Sequence, residues 1–262
     1  MTGSRVAQIW QHRKLIWIMA KRAVKARYAG SLLGLAWAIL EPLLQFGLYL
    51  VVFGVFLGLR GLAGGGAAFA LWLLAGLVPF LLLQEGWVRA AGVFRAHAGL
   101  VKHVPVPLGV LLAAELVAVL ARHAVMLALL VVVAAAGGYG SLSGLAPLAF
   151  GLVTSLLLLV GGGLFLAVAG TYLPDTAPVT ATAMGLALYL TPILYPAQVV
   201  PEALRRWFWL NPLFGVVESF RGLLGSAPLG WAALASAGWG LLILAGGWSL
   251  FTRRENQLRD LV

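Results

Sequence analysis

Long apolar runs, each close to the thickness of a bilayer, dominate the sequence after Ser31 and constrain the fold more than any other feature. Hydrophobic residues occupy 62% of the 262 positions, and charged residues occupy only 10%. A soluble domain of this length does not have enough polar surface to cover so many apolar side chains. The sequence therefore predicts an all-α membrane protein that crosses the bilayer several times.

Six segments are long and apolar enough to cross about 30 Å of hydrocarbon as helices. They lie near 31–58, 67–88, 107–136, 145–171, 177–195 and 229–251. These spans make up a predicted transmembrane domain, 31–251, between an N-terminal segment, 1–30, and a short tail, 252–262. With an even number of spans, both ends of the chain are on the same side of the membrane.

The segment between the fifth and sixth spans, 196–228, is too long for a turn and too apolar for a solvated loop. Its helix-boundary signals are Pro201, Asn211 followed by Pro212, and Gly225. These signals predict two short half-helices, 202–210 and 213–224, that dip into the outer leaflet. Backbone at membrane depth has to be helical or buried in protein, which favours this interpretation over a free loop.

A basic region without any acidic residue precedes the first span. It contains Arg5, Arg13, Lys14, Lys21, Arg22, Lys25 and Arg27. Apolar and basic positions over 5–28 fall on different faces at helical spacing, which predicts an amphipathic helix lying in the membrane interface. The side of the membrane that holds both termini carries 13 Lys and Arg in this topology, and the other side carries four. This excess predicts that both termini are cytoplasmic.

The net charge of +10 does not indicate nucleic-acid binding, because the basic residues lie beside apolar segments and not in a soluble module. Membrane lipids with anionic headgroups and an anionic substrate are the better partners. The chain has no cysteine, which excludes disulfides and thiol catalysis. None of its four lysines follows a glycine, as a P-loop requires, so the chain does not bind ATP through a P-loop of its own.

Five stretches of the sequence carry a resemblance to a known family. They are RKLIWIMAKRAVKARYAGSLLGLAWAILEPLL at 13–44, GLVKHVPVPLGVLLAAE at 99–115, YLTPILYP at 189–196, LNPLFGVVESFRGLLG at 210–225, and the closing FTRRENQLRDLV. In this order they resemble the ABC-2 type permeases that export lipid-linked polysaccharides such as O-antigen, capsule or wall teichoic acid. Two positions depart from the family pattern: Glu41 stands where asparagine is usual, and Pro174 precedes Asp175 where an Arg-Asp pair is usual.

The resemblance implies a homodimeric permease that works with two copies of a separate ABC ATPase subunit in a bacterial inner membrane. ATP and Mg are then expected on the ATPase, and this chain is expected to carry no cofactor, no metal and no catalytic residue. The implied substrate is a polymer on an undecaprenyl-type lipid, pushed through a channel between the two copies.

Two basic segments have both an ordinary and a functional interpretation. The N-terminal helix anchors the chain to anionic lipid, and its last turn is also a candidate entry site for the phosphate or pyrophosphate headgroup of the substrate. The entry residues are Lys25, Arg27 and Tyr28. The segment 89–106 is either a solvated loop held inside by its charge or a coupling helix that docks on the ATPase. Its candidate coupling residues are Arg95, His97, Lys102 and His103, and the wide spacing of the two histidines argues against a metal site.

Ionisable residues inside the spans are costly and usually face protein or water. Glu115 and Arg122 are seven residues apart, which places them on one face of the third span as an intramembrane polar pair, either structural or part of a transport path. Glu41 precedes Pro42, where a kink is expected. Glu41 is therefore either a protonated or hydrogen-bonded carboxyl at the kink or a polar point on the translocation path.

Most of the aromatic residues are expected in the core or in the interfacial belts. A minority are candidates for a channel lining, where flat rings let sugars slide, although packing is the alternative role for each. These candidates are Tyr49, Phe53, Tyr189, Tyr195, Trp207, Trp209, Phe214 and Phe220.

Three other functions stay open at the level of sequence. They are a drug or small-lipid exporter of the same broad fold, a membrane enzyme acting on polyprenyl phosphates, and a proton-coupled secondary transporter. The enzyme requires clustered acids and histidines at one membrane face, whereas the eight acidic residues are scattered along this sequence. The polar pair in the third span is the only support for the secondary transporter.

Overall fold

The computed structural model describes residues 2–58, 66–104, 106–225 and 230–261, and this part of the chain is helical without any β-strand. The helices are α1 (Thr2–Gln11), α2 (Arg13–Arg27), α3 (Trp37–Tyr49), α4 (Gly66–Ala96), α5 (Ala98–His103), α6 (Leu108–Ala136), α7 (Leu145–Tyr172), α8 (Thr176–Leu190), α9 (Glu202–Arg205), α10 (Pro212–Arg221) and α11 (Trp231–Leu261). The predicted all-α class is confirmed. Small parts of the predicted segments and domains, at 1, 59–65, 105, 226–229 and 262, lie outside the described residues.

Four helices of the described chain are long and apolar enough to cross a membrane, by length and composition. They are Gly66–Ala96, Leu108–Ala136, Leu142–Tyr172 and Trp231–Arg259, which correspond to the second, third, fourth and sixth predicted spans. The first and fifth predicted spans are shorter apolar helices, Trp37–Phe53 and Thr176–Leu190. At 1.5 Å per residue these two are about 22 to 26 Å long, less than the thickness of the hydrocarbon. Six complete spans therefore stay a prediction.

The first predicted span begins later than its apolar composition indicates. Gly30 and Gly34 have positive φ angles of 80° and 50°, a conformation that glycine adopts at little cost. The chain therefore turns before the α-helix begins at Trp37. Beyond α3 the helix widens into a π-helical stretch, Leu50–Phe56.

Three other boundaries differ from the prediction for identifiable reasons. α8 ends before the predicted bound because Thr191 precedes Pro192 and adopts an extended conformation. α4 continues through the first part of the predicted coupling segment to Ala96, since charged side chains alone do not interrupt a helix, and it breaks at His97. α11 continues through the predicted tail to Leu261, because this stretch contains neither glycine nor proline.

The second half-helix of the segment 196–228 is present as α10. The side chain of Asn211 caps it by accepting a hydrogen bond from the Leu213 backbone N–H at 3.0 Å. A 3₁₀ turn at Gly222–Leu224 extends it, and Gly225 ends it with a φ of 75°. The sequence signals for this element are therefore correct.

The first predicted half-helix, 202–210, is wrong in length. It consists of the four-residue α9 and a separate 3₁₀ turn at Phe208–Leu210. The Trp207 backbone N–H donates to the Leu204 carbonyl at 3.0 Å, three residues back, which is the tighter winding of a 3₁₀ helix. This segment is therefore a series of short turns and not a continuous α-helix.

The N-terminal segment forms two helices that separate at His12, where the backbone leaves helical geometry. α2 lies against α6 and buries Ile16 and Ala20, while Trp10 and Trp17 stay exposed. This packing brings the end of α2 beside α3, α4 and α6. The single helix predicted over 5–28 is therefore two helices, and its position at a membrane surface stays a prediction.

Helix α4 lies at the centre of the hydrophobic core and contacts α6, α7, α8 and α10. The neighbouring helices α7 and α11 approach each other through glycines. A Cβ atom on Gly161 would lie 2.5 Å from the backbone nitrogen of Leu244, and one on Gly247 would overlap the carbonyl of Gly161. The adjacent Gly246 has open space at its Cβ position. Gly161 and Gly247 therefore determine how closely these two helices pack.

We expect Gly247→Ala to lower the free energy of unfolding by about 1–3 kcal/mol, because the added methyl group forces α7 and α11 apart. Gly246→Ala is the matched control, with the same change one position earlier on the same helix. Thermal unfolding in detergent micelles measures both variants. Equal midpoints for the two variants would contradict the close approach.

Candidate functional site

A polar cavity of about 370 Å³ lies where the end of α2 meets α3, α4, α6 and α8. Apolar side chains form part of its wall. Its polar lining residues are Arg27, Glu41, Gln45, Gln84, Glu85, Arg89, Arg122 and His123. A cavity with this many charges next to apolar helices is expensive unless the charges compensate one another.

Glu85 on α4 is the centre of the charge network in this cavity. Its Oε1 atom accepts hydrogen bonds from Nη1 of Arg27 at 3.0 Å and from Nε of Arg89 at 2.9 Å. Its other carboxylate oxygen contacts the guanidinium of Arg122 on α6. Only 13% of the Glu85 side chain is exposed. One carboxylate therefore joins three arginines from three helices.

Glu41 links the first predicted span to the same network. Nη2 of Arg27 donates to both carboxylate oxygens of Glu41, at 3.0 and 3.2 Å, and Nη1 of Arg122 lies 3.6 Å from Oε2 of Glu41. The Glu41 side chain is 45% exposed, in contrast to Glu85. Glu41 is therefore a bound carboxylate that also reaches the open side of the cavity.

Glu115 on α6 completes the network at its other end. It accepts a hydrogen bond from Nη1 of Arg89 at 3.1 Å, and Nε2 of His97 lies 3.9 Å away. Glu115 and Arg122 were predicted as a pair, but each has its partner on α4: Arg89 for the first and Glu85 for the second. They face the same side of α6, and the network connects them only through α4.

The network contains three arginines and three glutamates, so its formal charges balance. Arg27, Arg89 and Arg122 carry the positive charges, and Glu41, Glu85 and Glu115 carry the negative ones. Opposite charges held at hydrogen-bond distance offset much of the cost of desolvation, whereas the loss of one partner leaves a charge uncompensated. We infer that the balance of this network is needed for the helices to pack.

A second polar cluster surrounds Arg221 at the end of α10, which is 2% exposed. Its Nη1 and Nη2 atoms donate to the carbonyls of Pro192 and Ile193 at 2.8 and 2.9 Å, and Nη1 also donates to Glu218 at 3.0 Å. The guanidinium lies 3.5 Å from the ring centroid of Trp72 on α4. Where α8 ends, backbone carbonyls have no helical hydrogen-bond partner, and Arg221 donates hydrogen bonds to them.

Asn211 makes a second link between the same two segments. Its Nδ2 atom donates to Oγ1 of Thr191 at 2.8 Å, beside the carbonyls that Arg221 binds. The stretch YLTPILYP and the stretch LNPLFGVVESFRGLLG are therefore one structural unit that holds α10 against the end of α8. The sequence alone did not indicate this contact, because the two stretches are separated along the chain.

The predicted channel aromatics occupy different environments. Tyr189, Trp207 and Trp209 are exposed, Tyr195 and Phe214 are half-buried, and Tyr49 and Phe53 pack against the core from its edge. Phe220 is 1% exposed and belongs to the hydrophobic core. The prediction that Phe220 lines a channel is wrong for this chain, because a side chain enclosed by its own helices has no free face. The other seven stay candidates.

The predicted coupling residues lie at the end of α4, at the break between α4 and α5, and on α5. Nη2 of Arg95 donates to the Thr171 carbonyl at 3.0 Å and thereby ties the end of α4 to the end of α7. Lys102 and His103 are exposed on α5, whereas His97 is half-buried beside Glu115. Exposed basic side chains on a short helix are compatible with docking, while Arg95 and His97 have contacts within the chain.

The described residues contain no group of three His, Asp or Glu side chains arranged to hold a metal ion. Three of the acids that are scattered in the sequence, Glu41, Glu85 and Glu115, do come together in space. Each of them is paired with arginine, so their oxygens are already used in ion pairs. The cluster is therefore not an arrangement of free acids for catalysis.

Comparison with known proteins assigns the fold to a family. The family model described as ABC-2 type transporter matches residues 14–224, which is well over half of the chain. The chain belongs to the ABC-2 type transporter family. This matched region contains both polar clusters, from Arg27 at the end of α2 to Arg221 at the end of α10.

Relatives of this ABC-2 type transporter include a polysialic acid transport protein and O-antigen export system permease proteins. The chain is 28% identical over 201 residues to the polysialic acid transport protein KpsM of Escherichia coli, which covers 76% of this chain and 77% of that protein. It is 24% identical over 261 residues to the O-antigen export system permease protein RfbA of Myxococcus xanthus, covering 97% and 98%. A Klebsiella pneumoniae permease of the same description is 21% identical over 253 residues, covering 95% of each.

Sequence reasoning missed two central residues of the cavity in this ABC-2 type transporter, Glu85 and Arg89. Their spacing of four residues at the C-terminal end of the second predicted span is a recognisable ion-pair signal on a helix. Their contacts with Arg27, Arg122 and Glu115 depend on which helices are neighbours, and no spacing within one segment shows that.

Proposed function

We propose that this chain is the permease subunit of an ATP-driven exporter that moves a lipid-linked polysaccharide, such as an O-antigen, across a bacterial inner membrane. The relationship to an O-antigen export permease along 97% of the chain is the observation that carries this proposal. A separate ABC ATPase subunit binds and hydrolyses ATP with Mg, and this chain does no covalent chemistry. Both termini are cytoplasmic, as the distribution of Lys and Arg predicts.

The transporter works as a homodimer with the translocation path between the two copies. None of the residues of α3, all of which are described, is buried. On α8 the side chains of Val179, Leu186, Tyr189 and Leu190 are exposed. In a membrane such faces contact lipid or another helix. A second copy of the chain that faces α3 and α8 covers them.

The substrate headgroup enters at the end of α2. Lys25 is exposed on its last turn, and Arg27 extends from it into the polar cavity. Tyr28 is buried, and the guanidinium of Arg27 lies 5.9 Å from its ring centroid, so Tyr28 positions Arg27 and does not contact the headgroup itself. A phosphate or pyrophosphate binds such arginines through paired hydrogen bonds.

Helix α5 transmits movement of the ATPase. It follows α4 directly, and α4 runs through the centre of the core, so a displacement of α5 reaches the whole transmembrane domain. Lys102 and His103 present basic, exposed side chains at the end of α5. Arg95 and His97 hold the neighbouring backbone through their contacts with Thr171 and Glu115.

We expect Lys102→Glu to reduce ATP hydrolysis by the permease–ATPase complex about tenfold, because reversing a charge at a docking surface weakens association. Arg206→Glu is the control, since it reverses an exposed charge in the segment between α9 and α10. Co-purification and phosphate release measure assembly and hydrolysis. Equal losses in both variants would contradict a docking role for α5.

The proposed function is tested by purifying the permease with candidate ATPases and measuring hydrolysis in lipid nanodiscs. Lipid-linked glycan is expected to stimulate hydrolysis, whereas the same lipid carrier without glycan and a set of hydrophobic drugs are not. Stimulation by drugs alone would indicate the drug-exporter alternative. Activity of the purified chain on polyprenyl phosphates without any ATPase would overturn the proposal.

A further inference from the structure

We propose that Glu41 is an internal counter-ion that a phosphate or pyrophosphate group displaces from Arg27 and Arg122, and that this exchange releases α3 from α2 and α6. The inference deepens the proposed function and rests on it, because the ligand is the headgroup of the lipid-linked substrate. It adds a competitor for the headgroup and a conformational consequence of headgroup binding.

The contacts of Glu41 are those that a phosphate group would make. Both carboxylate oxygens bind one guanidinium nitrogen of Arg27, and one of them lies 3.6 Å from Arg122. A phosphate offers more acceptor oxygens and more negative charge to the same two arginines. The exposed position of Glu41 at the cavity, with 45% of its side chain accessible, makes it the carboxylate that a ligand can replace.

The two other carboxylates of the network are not replaceable in the same way. Only 13% of the Glu85 side chain and 14% of the Glu115 side chain are exposed. Both carboxylates bind Arg89, which joins α4 to α6. They stay in place when Glu41 leaves. The network then has three arginines and two glutamates, and a bound phosphate supplies the negative charge that is missing.

Helix α3 is the element that such an exchange sets free. None of its 13 residues is buried, and Pro42 removes a backbone hydrogen bond next to Glu41. The ion pairs of Glu41 with Arg27 and Arg122 tie α3 to α2 and α6, in addition to the packing of Phe46 and Tyr49 against the core. Loss of these ion pairs lets α3 move away from the rest of the chain, toward the second copy.

The first arm of the test measures binding to the permease–ATPase complex in nanodiscs, with polyprenyl pyrophosphate as the probe. Glu41→Gln is expected to tighten binding about tenfold because the competitor loses its charge, and Arg27→Gln is expected to weaken it by a similar factor. Glu202→Gln, which removes an exposed charge on α9, is the control without an effect. The two substitutions remove partners of the same ion pair but have opposite effects on binding, which damage to the fold does not explain. Unchanged or weaker binding by Glu41→Gln would overturn the proposal.

The second arm measures the position of α3. The chain has no cysteine, so spin labels can be attached at Ile18→Cys on α2 and Leu44→Cys on α3, both exposed positions, in dimers diluted with unlabelled copies. Polyprenyl pyrophosphate is expected to lengthen the distance, and Glu41→Gln is expected to lengthen it without ligand. An identical distance in Glu41→Gln and the unchanged chain would refute the release of α3.

Two further comparisons identify the source of the phosphate and distinguish a failure of this proposal from a failure of the proposed function. Phosphatidylglycerol at matched concentration shows whether a membrane lipid has the same effect as the pyrophosphate; an equal gain in Glu41→Gln would overturn the assignment to the substrate headgroup. ATP-dependent transport of lipid-linked glycan is measured in parallel. If transport proceeds while Glu41→Gln leaves binding and distance unchanged, the exporter function stands and the displacement of Glu41 is refuted.

Discussion

Replacing Arg221 with methionine is expected to lower the free energy of unfolding by about 3–5 kcal/mol, because the change leaves buried polar groups without their partner. The carbonyls of Pro192 and Ile193 lose their donor, and Glu218 loses its cation. Arg221→Lys keeps the charge but not the forked geometry, so we expect an intermediate loss. Denaturant unfolding in detergent micelles, followed by tryptophan fluorescence, measures both variants.

The matched control for this prediction is Arg205→Met on α9. Arg205 is exposed and donates to one backbone carbonyl, that of Val200, at 2.8 Å. An exposed substitution of this kind changes stability by about 0.5 kcal/mol or less. A loss in Arg221→Met no larger than that in Arg205→Met would show that the unit formed by the end of α8 and α10 is not held by Arg221.

Glu85→Gln is expected to destabilise the fold by about 3 kcal/mol, because it leaves three arginines with two carboxylates in a poorly solvated cavity. The additional change Arg122→Gln removes the excess positive charge. We therefore expect the double variant to be more stable than Glu85→Gln alone. Unfolding free energies of the two single variants and the double variant form a double-mutant cycle that isolates the coupling between these residues.

The cycle needs a control for the loss of a carboxylate and for the loss of an arginine. Glu202→Gln and Arg206→Gln provide these two controls. Both residues are exposed, near each other in sequence and outside the network. Their effects are expected to be small and additive. Additive effects of Glu85→Gln and Arg122→Gln would contradict the charge network as the cause of the destabilisation.

Hydropathy and helix-boundary residues were sufficient to predict the helical class. They also predicted the ends of the third and fourth apolar helices to within one residue. Those spans are long, uninterrupted and flanked by proline or glycine, so local signals determine them. Local signals were misleading where an apolar run contains a backbone turn. The positive φ of Gly34 shortens the first apolar helix, and Pro192 shortens the fifth. Apolar composition persists across both turns and hides them.

The candidate site could be predicted only in part from the sequence. Arg27, Glu41 and Arg122 were singled out individually, because charges near or within apolar runs are conspicuous. Their partners were not predictable, since Arg27 binds Glu85 across 58 positions and no periodicity within a segment encodes that contact. The eight acidic residues are scattered along the sequence, as interpreted, but three of them, Glu41, Glu85 and Glu115, come together in the folded chain.

The central claim is that this permease exports a lipid-linked glycan only with an ATPase partner, and transport into sealed vesicles tests it most directly. The permease and its ATPase are reconstituted with the ATP-binding face outward, and radiolabelled lipid-linked glycan is added outside. We predict that ATP makes the glycan inaccessible to an external glycosidase, and that omission of the ATPase abolishes this protection. Protection without the ATPase, or a complex that hydrolyses ATP and leaves the glycan fully accessible, would contradict the account.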